Sequence, residues 1–280
     1  MLRQFLHQLP SFKGKRRLAK LFYNNYIRSS ENIIISGAEG ARYLLPNLKD
    51  NISFDIFVNG IYEKDTIDLL DKLLPAGGYY LDLGANIGAI LVPLALRRPD
   101  IKIIAVEAAP WVFRYLKENV VLNNLKNVKL VNKALFDKDG VELDFFSPHD
   151  KFGKGSLSPV FSREAVKVTT TKVDSLIREY NFPQVDVVKL DVEGFEYFVF
   201  KGATEMLASP VPPRIVFEFV DWAEKQAMGL EPGAAQQYLV EQGYELFILQ
   251  DDKPVKKTNI MKAGGFNLLA TRNGINDSMK

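Results

Sequence analysis

Acidic side chains and glycines recur in this sequence where apolar segments end. The segment LDLGANIG places Asp82 at the end of an apolar run and Gly84, Asn86 and Gly88 in the turn that follows. Glycine has no Cβ atom, so this turn can be tight and its backbone can approach a ligand closely. Glu107 ends the next apolar run, where doubly wound folds place the carboxylate that binds ribose hydroxyls. The pattern predicts a nucleotide-like cofactor site.

Two cofactors fit this pattern, a dinucleotide and S-adenosylmethionine. The dinucleotide fingerprint is G-x-G-x-x-G, whereas this turn has only two glycines and Asn86 between them. The carboxylate of Asp82 suits the amino-acid end of S-adenosylmethionine better than it suits a pyrophosphate. Tyr197 and Lys201 have the spacing of the short-chain dehydrogenase pair, but no serine lies at a suitable distance upstream. We therefore expect S-adenosylmethionine, with an NAD-dependent oxidoreductase as an alternative.

A second acidic cluster follows two later apolar segments. Asp191 and Glu193 come directly after VVKL, and Glu218 lies within RIVFEF. Ligands bind at the carboxyl ends of parallel strands, so these side chains should face the same cleft as Asp82 and Glu107. Carboxylates that crowd together raise one another's pKa and serve as bases or metal ligands. We predict that Asp191, Glu193 and Glu218 are catalytic.

Strand-like and helix-like segments alternate from residue 64 onward. Strands are predicted at 79–84, 101–107, 128–132, 141–147, 166–172, 185–191, 214–219, 244–249 and 266–271. Helices are predicted at 64–74, 87–97, 111–122, 173–180, 195–201 and 233–242. Strands that are apolar on both faces and alternate with helices predict a parallel sheet covered on both sides. The last two strands have no helix between them and should form an antiparallel hairpin. The predicted class is α/β, a Rossmann-like doubly wound sheet that looks like the class I methyltransferase fold.

The first 60 residues are predicted to form a separate basic extension, and residues 61–280 the main domain. Residues 32–36 and 53–59 read as strands. Residues 1–30 contain seven basic and no acidic side chains, whereas the rest of the chain has 29 basic and 34 acidic ones. The basic arm could contact a membrane surface or another anionic partner, or it could be a solvated helix or an oligomer contact that docks through Leu2, Phe5, Leu6 and Leu9.

Composition excludes several classes of site. The chain has no cysteine and two histidines, His7 and His149, so it can form neither disulfides nor a thiolate or multi-histidine metal site. No apolar run approaches the ~20 residues of a membrane-spanning helix, and the N-terminus lacks the apolar core of a signal peptide. A cytoplasmic protein is the expectation.

Over residues 60–250 the sequence resembles the FkbM-type S-adenosylmethionine-dependent methyltransferases. The resemblance rests on Tyr62-Glu63, LDLGANIG, AVEAAP, NKALFD and above all VVKLDVEGFEYFVFKGA followed by RIVFEF. It implies that Asp82, Gly84, Asn86, Gly88 and Glu107 bind the cofactor, with Glu63 near its amino-acid end and Ala134 near its adenine. Segment 1–60 lies outside this similarity.

The resemblance implies O-methylation of a hydroxyl on a sugar, glycan or related small molecule. Asp191 or Glu193 would take the hydroxyl proton; alternatively, the same carboxylates could hold Mg²⁺, which the sequence neither requires nor excludes. An RNA or protein methyltransferase is the alternative that the basic arm favours. That arm is short and has no interleaved aromatic stripe, so we expect no nucleic-acid partner. The sequence predicts no oligomeric state.

Overall fold

The computed structural model describes residues 14–160, 162–250 and 253–274. The chain begins there with helix α1 (Lys15–Ser29), the antiparallel strands β1 (Glu31–Ser36) and β2 (Arg42–Asn47), and helices α2 (Asn51–Asn59) and α3 (Lys64–Leu73). The remaining helices are α4 (Leu91–Arg97), α5 (Pro110–Leu122), α6 (Val173–Glu179), α7 (Glu196–Lys201), α8 (Thr204–Leu207), α9 (Asp221–Gln226) and α10 (Ala234–Glu241).

The central sheet has eight strands within the described residues, in the order β12-β11-β13-β10-β9-β3-β4-β5. Their bounds are β3 (Tyr79–Leu83), β4 (Lys102–Val106), β5 (Val128–Val131), β9 (Val187–Leu190), β10 (Arg214–Val220), β11 (Glu245–Gln250), β12 (Lys253–Lys257) and β13 (Gly265–Thr271). The five strands from β10 to β5 are parallel, and β13, β11 and β12 add antiparallel pairs. This confirms the doubly wound, mostly parallel sheet and the antiparallel pairing of its last two predicted strands.

The strand order reverses between β3 and β9. The chain runs outward from β3 through β4 to β5, then returns to place β9 on the other side of β3. Crossover connections on the two sides of this point diverge, which leaves a crevice at the carboxyl ends of the strands. Asp82 of β3 is the register partner of Lys189 of β9, so both acidic clusters meet at this point.

Apolar side chains cover both faces of the sheet. On one face, Leu81, Val106 and Leu190 pack in a buried cluster with residues of α6, α7 and α10. On the other face, Tyr80 and Ile103 pack with residues of α3, α4 and α5. The helices are therefore held on both sides by burial of alternating strand residues.

The strand predicted at 53–59 is wrong, because these residues belong to helix α2. Asp50 caps this helix by accepting a hydrogen bond from the backbone N–H of Ile52 at 2.8 Å. Phe54, Phe57 and Val58 are buried at helical spacing. The run of apolar residues fits either period, and the cap decides between them.

Other differences concern element ends and short strands. The helix predicted at 87–97 begins only at Leu91, because Asn86 and Gly88 have positive φ values of 52° and 83° that an α-helix does not accept. Strands β2 and β12 were not predicted. Strand β6 (Ala134–Leu135) pairs with β8 (Ala165–Thr171), which also pairs with β7 (Glu142–Phe146) in a second, small sheet.

The N-terminal arm is described from Gly14 onward. The apolar face predicted from Leu2, Phe5, Leu6 and Leu9 lies outside the described residues. None of the helices among the described residues combines the length and apolar character needed to cross a membrane.

Candidate active site

A cavity of about 340 Å³ opens at the crevice between β3 and β9. It brings together nearly all of the residues predicted from the sequence: Glu63, Asp82, Gly84, Asn86, Glu107, Ala134, Asp191, Glu193 and Glu218. Gly88 lies outside its lining, because its Cα faces α5, where an added Cβ would meet the side chain of Leu116 at 3.1 Å. Gly88 therefore serves helix packing in this structure.

Gly84 lets the tips of two strands touch. Its φ is +87°, and a Cβ at this position would lie 1.8 Å from the backbone oxygen of Asp191. The N–H of Gly84 also donates to the carbonyl of Val106 at 3.0 Å. The sequence predicts that a ligand lies close to the backbone of this turn. In the structure, the backbone of Asp191 lies close to Gly84.

Asp82 is a buried carboxylate near the hydroxyl of Tyr80 and the charge of Lys189. Its exposed fraction is 1%, and its oxygens make no hydrogen bond of normal geometry among the described residues. Burial raises its pKa to about 6, and the charge of Lys189 opposes that shift. An unpaired buried carboxylate is costly, so its position in a cavity fits a cationic donor such as the ammonium group of an amino acid.

Glu107 is held at the tip of β4 by the backbone. Its two oxygens accept hydrogen bonds from the N–H groups of Asn86 at 3.0 Å and Ala109 at 2.8 Å. Burial raises its pKa to about 7, although these hydrogen bonds oppose the shift. Each carboxylate oxygen has a second lone pair, so Glu107 can still accept hydrogen bonds from two neighbouring hydroxyls.

Asn86, Ala134 and Glu63 surround these two acids. The amide of Asn86 donates to the carbonyl of Phe152 at 3.2 Å, which ties the glycine turn to a segment that lines the cavity. Ala134 is buried and lines the cavity from β6. Glu63 immediately precedes α3 with a φ of 44° and accepts a hydrogen bond from the hydroxyl of Thr66 at 3.2 Å.

The second acidic cluster is compact. One carboxylate oxygen from each of Asp191, Glu193 and Glu218 lies within 4.8 Å of the others. Burial and the nearby charge of Asp191 raise the pKa of both Glu193 and Glu218 above the usual range. A group of three such oxygens can share a proton, accept one from a substrate or coordinate a hard cation.

Two lysines that sequence reasoning missed hold this cluster. The Nζ of Lys189 lies 3.2 Å from Asp191 and 3.4 Å from the backbone oxygen of Gly84. The Nζ of Lys154 lies 3.0 Å from Glu193. A lysine inside an otherwise apolar strand is the signal that could have identified Lys189. Lys154 ends the 3-10 segment His149–Lys154, where no such signal marks it.

Glu196, the last acidic residue of the segment DVEGFE, stabilises the turn at the end of β9. Its carboxylate accepts hydrogen bonds from the N–H groups of Val192 at 3.1 Å and Gly194 at 3.4 Å. Burial raises its pKa to about 8, against these backbone hydrogen bonds. Gly194 has a φ of +100°, and a Cβ there would lie 2.4 Å from the oxygen of Ala223. Glu196 and Gly194 thus shape the turn that presents Asp191 and Glu193.

The 3-10 segment His149–Lys154, which is kinked at Lys151, lines the cavity with residues 151–154. His149 lies outside the lining and stacks on Trp111 with ring centres 4.5 Å apart. Ser156 also lies outside it and donates to the backbone oxygen of Glu193 at 3.1 Å. His149 and Ser156 therefore contact residues around the cavity without lining it.

The pair Tyr197 and Lys201 also lies away from the cavity. Tyr197 packs edge-on against Tyr238 with ring centres 5.8 Å apart, and the Nζ of Lys201 lies 5.8 Å from the same ring centre. These contacts give both residues a packing role on the outside of α7.

Comparison with known proteins places this site in a family context. Residues 82–246 match the family described as the methyltransferase FkbM domain. The methyltransferase sdnD of Sordaria araneosa is 29% identical over 162 residues, which cover 47% of this chain and 62% of sdnD. The AMB antimetabolite synthetase AmbE of Pseudomonas aeruginosa is 24% identical over 70% of this chain and 11% of its own length. This chain therefore spans less than two thirds of either relative.

Among solved structures, TYW2 of M. jannaschii in complex with AdoMet aligns with a TM-score of 0.41. The alignment covers 86% of this chain and 85% of that one at 18% sequence identity.

Proposed function

The chain belongs to the FkbM methyltransferase domain family, and from that premise we propose that it transfers the methyl group of S-adenosylmethionine to a hydroxyl of a sugar, glycan or related small molecule. The observation that carries this proposal is the buried carboxylate of Asp82, whose oxygens make no hydrogen bond of normal geometry among the described residues and which shares one cavity with Glu107 and the second acidic cluster.

The residues of the cavity fit the cofactor. Asp82 would accept hydrogen bonds from the ammonium group of its amino-acid end, and Glu107 from its ribose hydroxyls. Glu63 would lie beside the amino-acid end and Ala134 beside the adenine, as the family resemblance implies. When bound, S-adenosylmethionine supplies an electrophilic methyl group on a sulfonium. The chain would contribute alignment, which can supply ~7–11 kcal/mol of the barrier.

The second acidic cluster would remove the acceptor proton. The acceptor oxygen forms a bond to the methyl carbon while the carbon–sulfur bond breaks, and the hydroxyl proton passes to Asp191 or Glu193. Glu218 lies close enough to share that proton. The raised pKa values of Glu193 and Glu218 suit groups that accept a proton near neutral pH.

Mg²⁺ is the alternative occupant of this cluster. The ion pairs of Asp191 with Lys189 and of Glu193 with Lys154 favour the base, because these ammonium groups already balance two of the three negative charges. Turnover that survives exhaustive treatment with EDTA is the expected result. Loss of turnover with EDTA and its recovery with Mg²⁺ would assign the cluster to the metal.

Calorimetric titration of the full chain with S-adenosylmethionine and with NAD tests the cofactor. We expect binding of S-adenosylmethionine alone. Binding of NAD alone, or of neither compound, would overturn the proposal and, in the first case, restore the oxidoreductase alternative.

Glu193→Gln tests the base. It should retain cofactor affinity while methyl transfer to a panel of sugars and glycosides, measured as S-adenosylhomocysteine formed, falls about 10²–10⁴-fold. Glu142→Gln, on the exposed face of β7, is the matched control and should keep full activity. Full activity in both Glu193→Gln and Asp191→Asn would show that neither acid is the base. Methylation of RNA or protein alone would replace the acceptor class.

A further inference from the structure

The outer face of helix α1 carries large apolar side chains exposed to solvent. Leu18, Leu21 and Phe22 are 38%, 76% and 61% exposed. The opposite face of the same helix is anchored, because Ala19 and Ile27 are buried. This face of the helix, defined by Leu18, Leu21 and Phe22, is called here the outer face of α1.

Basic side chains flank the outer face. Arg17 and Arg28 are exposed, whereas the Nζ of Lys20 lies 5.4 Å from the ring centre of Phe54 on the inner side. The sequence of α1, KRRLAKLFYNNYIRS, contains no acidic residue. Arg16 lies on the inner side and pairs with Asp55 at 3.2 Å, so it is not counted among the flanking charges. The rest of the chain beyond residue 30 is net acidic, which concentrates the positive charge at this helix.

We infer that the outer face of α1 docks on an anionic lipid bilayer surface. Leucine and phenylalanine on one face of a helix with lysine and arginine beside them is the pattern of a helix that lies in the membrane interface. The apolar side chains would enter the boundary of the acyl region, and the flanking cations would meet anionic headgroups.

Charge argues against the other occupants. In a symmetric dimer the same patch meets itself, so Arg17 and Arg28 of one copy would lie among the same cations of the other copy and repel them. A nucleic acid would pair with the cations but would leave Leu21 and Phe22 without an apolar partner.

Docking would bring the cavity close to the bilayer. Arg16 of α1 donates to the side-chain oxygen of Asn51 at 2.9 Å, and Asn51 and Ile52 line the cavity. The start of α2 therefore contacts both α1 and the cavity. The inference does not rest on methyl transfer, since lipid binding and cofactor binding are measured separately.

Vesicle co-flotation of the full chain tests the inference. We expect binding to vesicles of phosphatidylcholine mixed with phosphatidylglycerol, weak binding to phosphatidylcholine alone, and loss of binding at high salt. Arg17→Gln with Arg28→Gln should lower partitioning roughly 25-fold, at about fivefold for each charge. Leu21→Ser with Phe22→Ser should lower it at least tenfold, as a rough lower bound.

Matched controls lie elsewhere on the surface. Val121→Ser with Val211→Ser removes two exposed apolar side chains, and Lys126→Gln with Lys129→Gln removes two exposed charges. Both should bind vesicles as the unchanged chain does. All variants should keep their melting temperature and their affinity for S-adenosylmethionine.

Three results would overturn the inference. One is the absence of binding to the anionic vesicles. Another is vesicle binding that the α1 variants do not change. If Leu21→Ser with Phe22→Ser also lowers the melting temperature in that case, another part of the chain covers this face. The third is concentration-dependent self-association that the same serine variants abolish, which would assign the face to a second copy.

Discussion

In the proposed function, the buried carboxylate of Asp82 lowers the stability of the free protein and favours binding of a cationic ligand. The oxygens of Asp82 make no hydrogen bond of normal geometry among the described residues, and burial raises its pKa. Keeping such a group ionised costs free energy in the empty protein, and a cationic ligand would recover that cost.

The variant Asp82→Asn tests this reasoning at the residue scale. It keeps the shape and removes the charge, so affinity for S-adenosylmethionine should fall about 10–100-fold, the value of a hydrogen bond to a charged group. The melting temperature of the free protein should not fall. Calorimetry and thermal melting measure both, with Asp144→Asn, an exposed partner of Lys167, as the control. Unchanged affinity in Asp82→Asn would contradict the proposed contact.

Lys154 should set the protonation of Glu193. Burial and Asp191 raise the pKa of Glu193, and Lys154 opposes them. Removing the ammonium group in Lys154→Met should therefore raise this pKa further, by about 1–3 units. The ionised, proton-accepting form of Glu193 would then be present only at higher pH.

A carboxyl-carbon NMR titration of glutamate-labelled protein measures this shift, with Glu193→Gln used to assign the signal. Lys154→Arg should restore the original titration. Lys49→Met is the control, because Lys49 also lines the cavity but pairs with Asp150. A titration of Glu193 that is identical in Lys154→Met and the unchanged chain would refute the ion pair as its cause.

At the scale of elements, the contact between the tips of β3 and β9 controls the site. Gly84 belongs to one tip and the backbone of Asp191 to the other, with Lys189 donating to Asp191 and lying close to the Gly84 oxygen. The glycine turn after β3 and the segment that carries the proposed base are thus in direct contact.

Gly84→Ala should break this link. The added methyl group meets backbone, so unfolding free energy should fall by roughly 3 kcal/mol or more, and cofactor affinity should fall with it. Gly140→Ala has a similar φ of +70° with no atom of the described residues within 4 Å of the added Cβ. It should cost only the strained backbone, about 1–2 kcal/mol. Denaturant unfolding compares the two; equal losses would disprove the steric link.

At the scale of the whole molecule, the extension before residue 61 shares a core with the main domain. Tyr43, Leu45 and Phe57 lie in one buried cluster with Val92 and Val112. The division at residue 60 stays a prediction about organisation.

Folding should depend on this shared core. We expect residues 61–280 alone to lack a cooperative melting transition, because that deletion exposes the cluster and leaves the buried amide of Asn119 without its bonds to Leu44. In the full chain, Asn119→Ala should lower the melting temperature by about 2–8 °C, for a loss of 1–3 kcal/mol. A melting curve of residues 61–280 that matches the full chain would show that the extension folds independently.

The amino-acid sequence by itself determined the sheet class and predicted most of the acidic residues that line the cavity. Alternating apolar strands and helices predict a parallel sheet whatever the details of packing, and carboxylates that follow such strands must gather at its carboxyl edge. For that reason Asp82, Glu107, Asp191, Glu193 and Glu218 were all predicted, and all of them line one cavity.

Only the tertiary structure decided how these residues are held. The run at 53–59 fits a strand or a helix, and the cap from Asp50 decides for the helix. Lys154 reaches Glu193 across 39 positions, and Gly88 meets α5 rather than the cavity. The contacts of Lys154 and Gly88 join residues that are distant in sequence, so no local pattern encodes them, whereas the Asp50 cap is a local signal that the predicted strand overlooked. Strand direction sets which edge of the sheet a residue at a strand end reaches, whereas packing sets which partner its side chain meets there.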